Sequence, residues 1–277
     1  MKVFIMNRDC HELKKICRRI LNWLEKQPFV KEESITDWLL FEISEKIPRF
    51  YYKAFSRNEE AKETGADWEW WILFRNSSFR MRIQAKKVKI NGNNYPLLSY
   101  KNRYGLQIKK LIESSNKNNF IPFYAFYTSS INKVRCKQKI LNEGVYVDGA
   151  KTIYKRFILQ ERKKLSHNDI LQYTIPLSCF LCCPIVHNVN GSGRFRGFIN
   201  HYYEEEIKDV KQNNDNNDGL MLGEYKNLPK YIISFIKSVK EGLPDWWEKE
   251  FDRYIRDVNS LVVYDARDDN LLCQARS

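Results

Sequence analysis

From His11 to Lys26 the apolar residues Leu13, Ile16, Cys17, Ile20, Leu21 and Leu24 recur at intervals of three and four, with basic residues between them. That spacing predicts a leading amphipathic helix. Ser34 followed by Asp37 has the form of a capping box in its aspartate variant, and Ile35, Trp38, Leu39, Ile43 and Ile47 keep one face apolar until Pro48. A second helix is expected there, starting at Ser34 and stopping at the proline. Aromatic and alternating runs then predict strands at Arg49 to Ser56, Asp67 to Phe74 and Phe79 to Val88, the last two joined by a turn at Asn76-Ser77-Ser78. Helical spacing returns at Asn102 to Ser115, and Phe120 to Tyr127 (FIPFYAFY) reads as an aromatic strand.

Beyond residue 130 the pattern is less regular. Lys151 to Lys164 is basic and is expected to end as a helix, Gly191 to Gly197 reads as a hairpin turn, and Gln212 to Asp218 (QNNDNND) reads as a polar loop. Tyr231 to Val239 and Leu243 to Arg256, the latter with paired Trp246 and Trp247, are expected to be helical, and Ser260 to Tyr264 a closing strand. The division expected is an N-terminal helical segment at 1–30, an α/β core at 31–130 and a C-terminal α+β extension at 131–277 that completes or regulates the core.

Composition narrows the class. The 277 residues are 43% hydrophobic and 14% aromatic, ample for a core, which excludes wholesale disorder. Stretches such as Trp70 to Phe74 and Cys179 to Val186 fall far short of the roughly 20 apolar residues a spanning helix needs. With no small-residue cleavage site near the start, the expected setting is cytoplasmic and no membrane partner is expected. Seven unevenly spaced cysteines fit reduced thiols better than a disulfide framework. Lysine and arginine number 47 against 34 acidic residues, a net charge of +13, which favours an anionic partner such as nucleic acid.

Candidate chemistry concentrates in two strands. Alternation puts Asp67 and Glu69 on one face of the first, and Gln84 and Lys86 on one face of the second. If the strands pair with those faces aligned, two carboxylates, an amide and an ammonium converge. Carboxylate oxygens, the Gln84 carbonyl and the backbone carbonyl of Ala85 suit Mg²⁺, and a nearby lysine can orient water or stabilise charge on a phosphate. Counting 100° per residue from Ile35 places Glu42 at about 340°, within the arc of Trp38, Leu39 and Ile43, so this carboxylate needs a partner if buried.

The order of a helix bearing Glu42, then Gly65-Ala66-Asp67, then Gln84-Ala85-Lys86 resembles the PD-(D/E)XK nuclease superfamily, in the Mrr-like branch where glutamine replaces the acid before lysine. Thr64 to Trp71 (TGADWEWW), followed by Gln84-Ala85-Lys86-Lys87 and a helix bearing Gln107, also resembles a family of uncharacterised bacterial proteins with that signature. The resemblance spans about residues 30–130 and implies a restriction-endonuclease-like mixed sheet flanked by helices. It further implies Mg²⁺ or Mn²⁺ on Asp67 and Gln84, Lys86 as catalytic lysine and Glu42 as helix carboxylate, with Glu69 compensating for the uncharged Gln84. The implied activity is phosphodiester hydrolysis, of DNA before RNA, in bacterial defence against foreign DNA, by a homodimer or with an activating partner. The alternatives are a catalytically silent nucleic-acid-binding module of the same fold and a host-directed effector.

Lys87, Gln107, Lys155, Arg156 and Lys163 are the candidate nucleic-acid contacts. Trp68, Trp70 and Trp71 are expected to pack in the core. Cys179, Cys182, Cys183 and His187 contain a zinc half-site spacing, but their apolar surroundings favour buried cysteines.

Overall fold

The computed structural model describes residues 8–55, 64–88, 101–102, 105–129, 134–136, 142–160, 166–183, 191–208, 220–242 and 258–267. Within them the chain runs through α1 (Arg8–Lys26), α2 (Glu32–Lys46), β1 (Phe50–Ala54), β2 (Trp68–Leu73), β3 (Ser78–Lys87), the short pair β4 (Lys101–Asn102) and β5 (Gly105–Leu106), α3 (Gln107–Lys117) and β6 (Ile121–Tyr127). It continues through β7 (Val145–Gly149), α4 (Ala150–Ile153), a π-helical turn Tyr154–Ile158, α5 (His167–Leu171), β8 (Ile175–Pro176), α6 (Cys179–Cys182), α7 (Gly191–Ile207), β9 (Glu224–Tyr225), α8 (Lys230–Glu241) and β10 (Ser260–Asp265).

The architecture is mixed α/β: one sheet in the order β1-β10-β2-β3-β6-β7-β8, with β9 alongside β3, flanked by helices. β2 and β3 form an antiparallel hairpin, β3 pairs in parallel with β6 across the α3 crossover, and β10 lies parallel to β2 and antiparallel to β1. The 131–277 segment is therefore not a separate layer. It supplies β7, β8, β9 and β10 to the same sheet. No helix among the described residues is long and apolar enough to cross a membrane.

Alternation divides the two faces of β2, β3 and β6. Trp68, Trp70, Met81, Ile83 and Phe123 share one face and are buried; Trp70 and Phe123 meet Phe180 with ring centroids 5.3 and 5.5 Å apart. The indoles of Trp68, Trp70 and Trp71 are core, as the sequence suggests. The opposite face carries Glu69, Trp71, Arg80, Arg82, Gln84 and Lys86. Sheet interiors are ordinarily apolar. A polar face this deeply covered is the feature that positions the chemistry.

Several expected boundaries move. α2 begins at Glu32, with Lys31 as an extended N-cap that makes no side-chain cap, so Ser34 lies inside the first turn. Glu32 and Glu33 complement the helix dipole there. α3 starts at Gln107 rather than at residue 102, because Gly105 sits at φ +111° and Leu106 is extended. The glycine-rich 191–197 segment is helix, not hairpin: Phe195, Phe198, Ile199 and Tyr202 form a buried stripe at helical spacing that outweighs the roughly 1 kcal/mol each glycine costs. The expected loop at 212–218 and helix at 243–256 lie outside the described residues.

Cys17, Cys136, Cys179 and Cys183 are buried free thiols. Cys136 and Cys179 approach to 3.4 Å, and Cys183 lies 3.8 Å from the Tyr202 hydroxyl. Cys10, in contrast, is disulfide-bonded, which departs from the expectation of uniformly reduced thiols. The Cys182 side chain and His187 lie outside the described residues.

Glu206, fully buried in α7, accepts hydrogen bonds from the Lys151 and Thr152 amides and the Thr152 hydroxyl, each at 2.9 Å, and so caps α4. Burial pushes its carboxyl up to about 7, against the lowering effect of those donors. The folded value lies above the unfolded one, so the charged form costs stability above about pH 7. That cost fades as pH falls toward the ordinary carboxylate range. Across pH 8 to 5 the wild type should therefore gain ~1–3 kcal/mol relative to Glu206→Gln in urea unfolding. Parallel profiles for the two proteins would refute this assignment.

Candidate active site

The site is built where β3 outruns β2. The last β2–β3 pairing before the strands separate joins Trp68 to Ile83, and the Asp67 amide donates to the Ile83 carbonyl at 2.8 Å. Backbone groups on a strand alternate between edges, so Ala85 and Lys87 point their amides toward the edge that β2 no longer covers. Two carboxylates take them. Asp67 Oδ2 accepts from the Ala85 amide at 2.7 Å, and Glu32 Oε2, reaching down from the first turn of α2, accepts from the Lys87 amide at 2.6 Å.

Side chains complete the cluster. Gln84 Nε2 donates to Asp67 Oδ2 at 2.6 Å and to the Ala85 carbonyl at 3.0 Å, while its Oε1 accepts from Gln107 Nε2 at 2.8 Å. Lys86, 4% exposed, places its ammonium 3.7 Å from Glu32 Oε1. Burial pushes the Glu32 carboxyl up to about 7; Lys86 and the Lys87 amide oppose the rise, and the Asp67 charge adds to it. Tyr124, opposite Gln84 on β6, is buried with an unpartnered hydroxyl, and burial together with the Asp67 and Glu32 charges holds its phenol protonated.

Thr64 to Asp67 are held by backbone geometry. Gly65 adopts φ +71°, and a Cβ there would come within 2.7 Å of the Gln107 carbonyl and 3.1 Å of the Leu111 amide nitrogen at the start of α3. The Ser114 hydroxyl donates to the Thr64 carbonyl at 3.0 Å. Gly65 thus lets the loop press onto the helix that carries Gln107, which in turn meets Gln84.

A family model matches residues 9–270 of the chain. The chain belongs to the family of unknown function DUF6615. Neither the curated proteins nor the solved structures contain a match to it.

In this DUF6615 chain Asp67, Gln84, Ala85 and Lys86 come together, and Gln107, expected only as a nucleic-acid contact, joins them through Gln84. Glu42 does not join them: it pairs with Arg19 of α1 at 2.8 Å, and the helix carboxylate at the cluster is Glu32. The same wheel arithmetic contains the signal, since at 100° per residue Glu32 lies at about 60°, in the middle of the arc of Ile35, Leu39 and Ile43. A helix started at Ser34 hides it. Glu69 shares the face of Asp67, as expected, but sits opposite Arg82, where it accepts from Trp71 Nε1 at 2.7 Å and the Tyr231 hydroxyl at 3.1 Å. It is a partner of the arginine end of the face, not of Asp67.

The candidate nucleic-acid contacts are largely engaged elsewhere. Lys87 Nζ donates to the Pro28 carbonyl at 2.6 Å, Lys155 pairs with Glu205 at 3.2 Å, and the Arg156 guanidinium lies 4.1 Å from the centroid of Tyr173. Lys151, from the same basic run, is buried, and Lys163 lies outside the described residues.

Among the described residues no three His, Cys, Asp or Glu side chains converge on a metal position. The oxygens nonetheless fit a hard cation in one respect. The Gln84 amino group stands between Asp67 Oδ2 and the Ala85 carbonyl, and a half-turn of that amide would replace it with an oxygen beside the other two. A matching half-turn of Gln107, whose Oε1 is buried without a partner, would preserve the bond between the two amides.

Gly65→Ala tests the loop. The left-handed backbone and the 2.7 Å approach should cost about 2 kcal/mol or more in chemical denaturation. A variant as stable as wild type would show that the loop can move off α3 freely.

Proposed function

We propose that the chain is a metal-dependent nuclease with a restriction-endonuclease-like core, hydrolysing phosphodiester bonds of DNA. One observation carries the reading. Asp67, Gln84 and Lys86 lie on one face where β3 outruns β2, and a helix carboxylate, Glu32, touches the strand beside Lys86. The excess of 13 positive charges is consistent with a polyanionic substrate.

Asp67, Gln84 and the Ala85 carbonyl would hold Mg²⁺ or Mn²⁺, which when bound supplies Lewis-acid polarisation of a phosphoryl oxygen and a more acidic water. The remaining work falls to the chain. The buried Lys86 ammonium orients the attacking water and offsets negative charge growing on the phosphate. Glu32 faces the Lys86 ammonium at 3.7 Å, with a carboxyl that burial pushes up to about 7. Gln107 sets the rotation of the Gln84 amide and thereby which of its atoms faces Asp67. The Tyr124 hydroxyl is a spare donor beside the carboxylates.

A specific observation favours a second reading, a nucleic-acid-binding module without catalysis. The Gln84 amino group already satisfies Asp67, and the cluster offers a cation the charge of one aspartate, with Glu32 turned to Lys86 and Lys87. Cleavage assays separate the two. Of labelled single- and double-stranded DNA and RNA, the DNA should be cut with Mg²⁺ or Mn²⁺ and not with EDTA. Asp67→Asn, Lys86→Ala and Glu32→Gln should each lose about 10²-fold or more, while Glu42→Gln should stay within about threefold of wild type. Well-folded wild type that binds DNA with a steep salt dependence and cuts nothing would support the binding module instead.

A further inference from the structure

The same sheet face that carries Gln84 and Lys86 holds a second polar cluster farther back along β3. Arg80 and Arg82 precede them by two-residue steps, so at about 3.3 Å per residue Arg82 lies roughly 7 Å from Gln84 and roughly 13 Å from Lys86. A cavity of about 380 Å³ opens there, lined by Arg80, Arg82, Lys117, Asn119, Phe120 and Tyr231 among others.

Arg82 is the unusual group. It is 4% exposed, yet its Nε and Nη1 have no hydrogen-bond partner. Leaving two buried guanidinium nitrogens of Arg82 unpaired is costly. Its place is fixed by Phe120, whose ring centroid is 4.3 Å from the Arg82 guanidinium carbon and 3.9 Å from that of Arg80. Arg80 is held further by the carbonyls of Asn118 and Asn119 and by the Tyr225 ring at 4.2 Å. The rings thus hold the two guanidinium donors at the cavity wall, while the unpartnered Nε and Nη1 of Arg82 are themselves closed to solvent.

Charge counting specifies what those donors fit. Among the described residues three cations, Arg80, Arg82 and the exposed Lys117, meet one carboxylate, Glu69 beneath them. A singly charged ligand leaves an excess, whereas a phosphate monoester carries about −1.5 to −2 near neutral pH. Guanidinium forks match tetrahedral phosphate oxygens. The recessed position of Arg82 and a volume within the range of small-molecule clefts favour a small ligand over a polymer backbone.

We infer that this cavity is a binding site for a small phosphate-bearing molecule, separate from the Asp67 cluster, with Arg82 as its central contact. The test is thermal melting and calorimetric titration of the full chain with inorganic phosphate and with adenosine 5′-monophosphate at constant ionic strength, and with a twelve-nucleotide oligothymidylate as the phosphodiester arm. Either small ligand should raise the melting temperature saturably, by mass action. Arg82→Met should weaken binding by about tenfold or more and Lys117→Ala severalfold, whereas Asp67→Asn should leave it unchanged. Lys117 is exposed, so its variant reads the site even if Arg82→Met fails to fold. Three results would overturn the inference: no saturable effect up to roughly 10 mM, an effect unaltered in Lys117→Ala and in folded Arg82→Met, or binding by the oligonucleotide alone.

Discussion

Everything at the candidate active site depends on a mismatch in strand length. β3 has 10 residues and β2 has 6, and the hairpin registers them so that the excess lies at the Lys87 end. Backbone amides left uncovered inside a protein must find acceptors. At Ala85 and Lys87 those acceptors are carboxylates, one from the loop before β2 and one from α2. The separation of two strands thus recruits negative charge to a fixed place, and Lys86, between the two amides, is the compensating cation.

This arrangement explains which part of the site was legible in the sequence. Asp67, Gln84 and Lys86 are related by the period of two along adjacent strands, a local rule that survives folding. Glu32 depended on where α2 starts. The Ser34 and Asp37 pair satisfied the capping pattern, but an extended Lys31 begins the helix without a side-chain cap. Gln107 was visible as a residue of α3 but its bond to Gln84 was not, because it rests on Gly65 allowing a close approach that no pattern encodes.

The fold was legible to the same depth. Strands β1, β2, β3 and β6 follow from alternation and aromatic content, as does β10 as a strand. Its place between β1 and β2 does not, since pairing partners far apart in the chain leave no local mark. The misread 191–197 segment shows composition yielding to burial: glycines suggested a turn, and a stripe of aromatic rings made a helix. The arginine cluster was hidden for a related reason. Arg80 and Arg82 carry no sequence signal that sets them apart, and it is the packing of Phe120 against them that turns that side of the strand inward.

The position of β10 also has a consequence during synthesis. The strand that bridges β1 and β2 leaves the ribosome roughly 190 residues after β2, about 10–40 s later at ordinary elongation rates. Through that interval β1 has no partner on its β10 side, and β2 shows an edge of unpaired backbone N–H and C=O groups. Until β10 arrives, that edge is open to pairing with a strand of another chain.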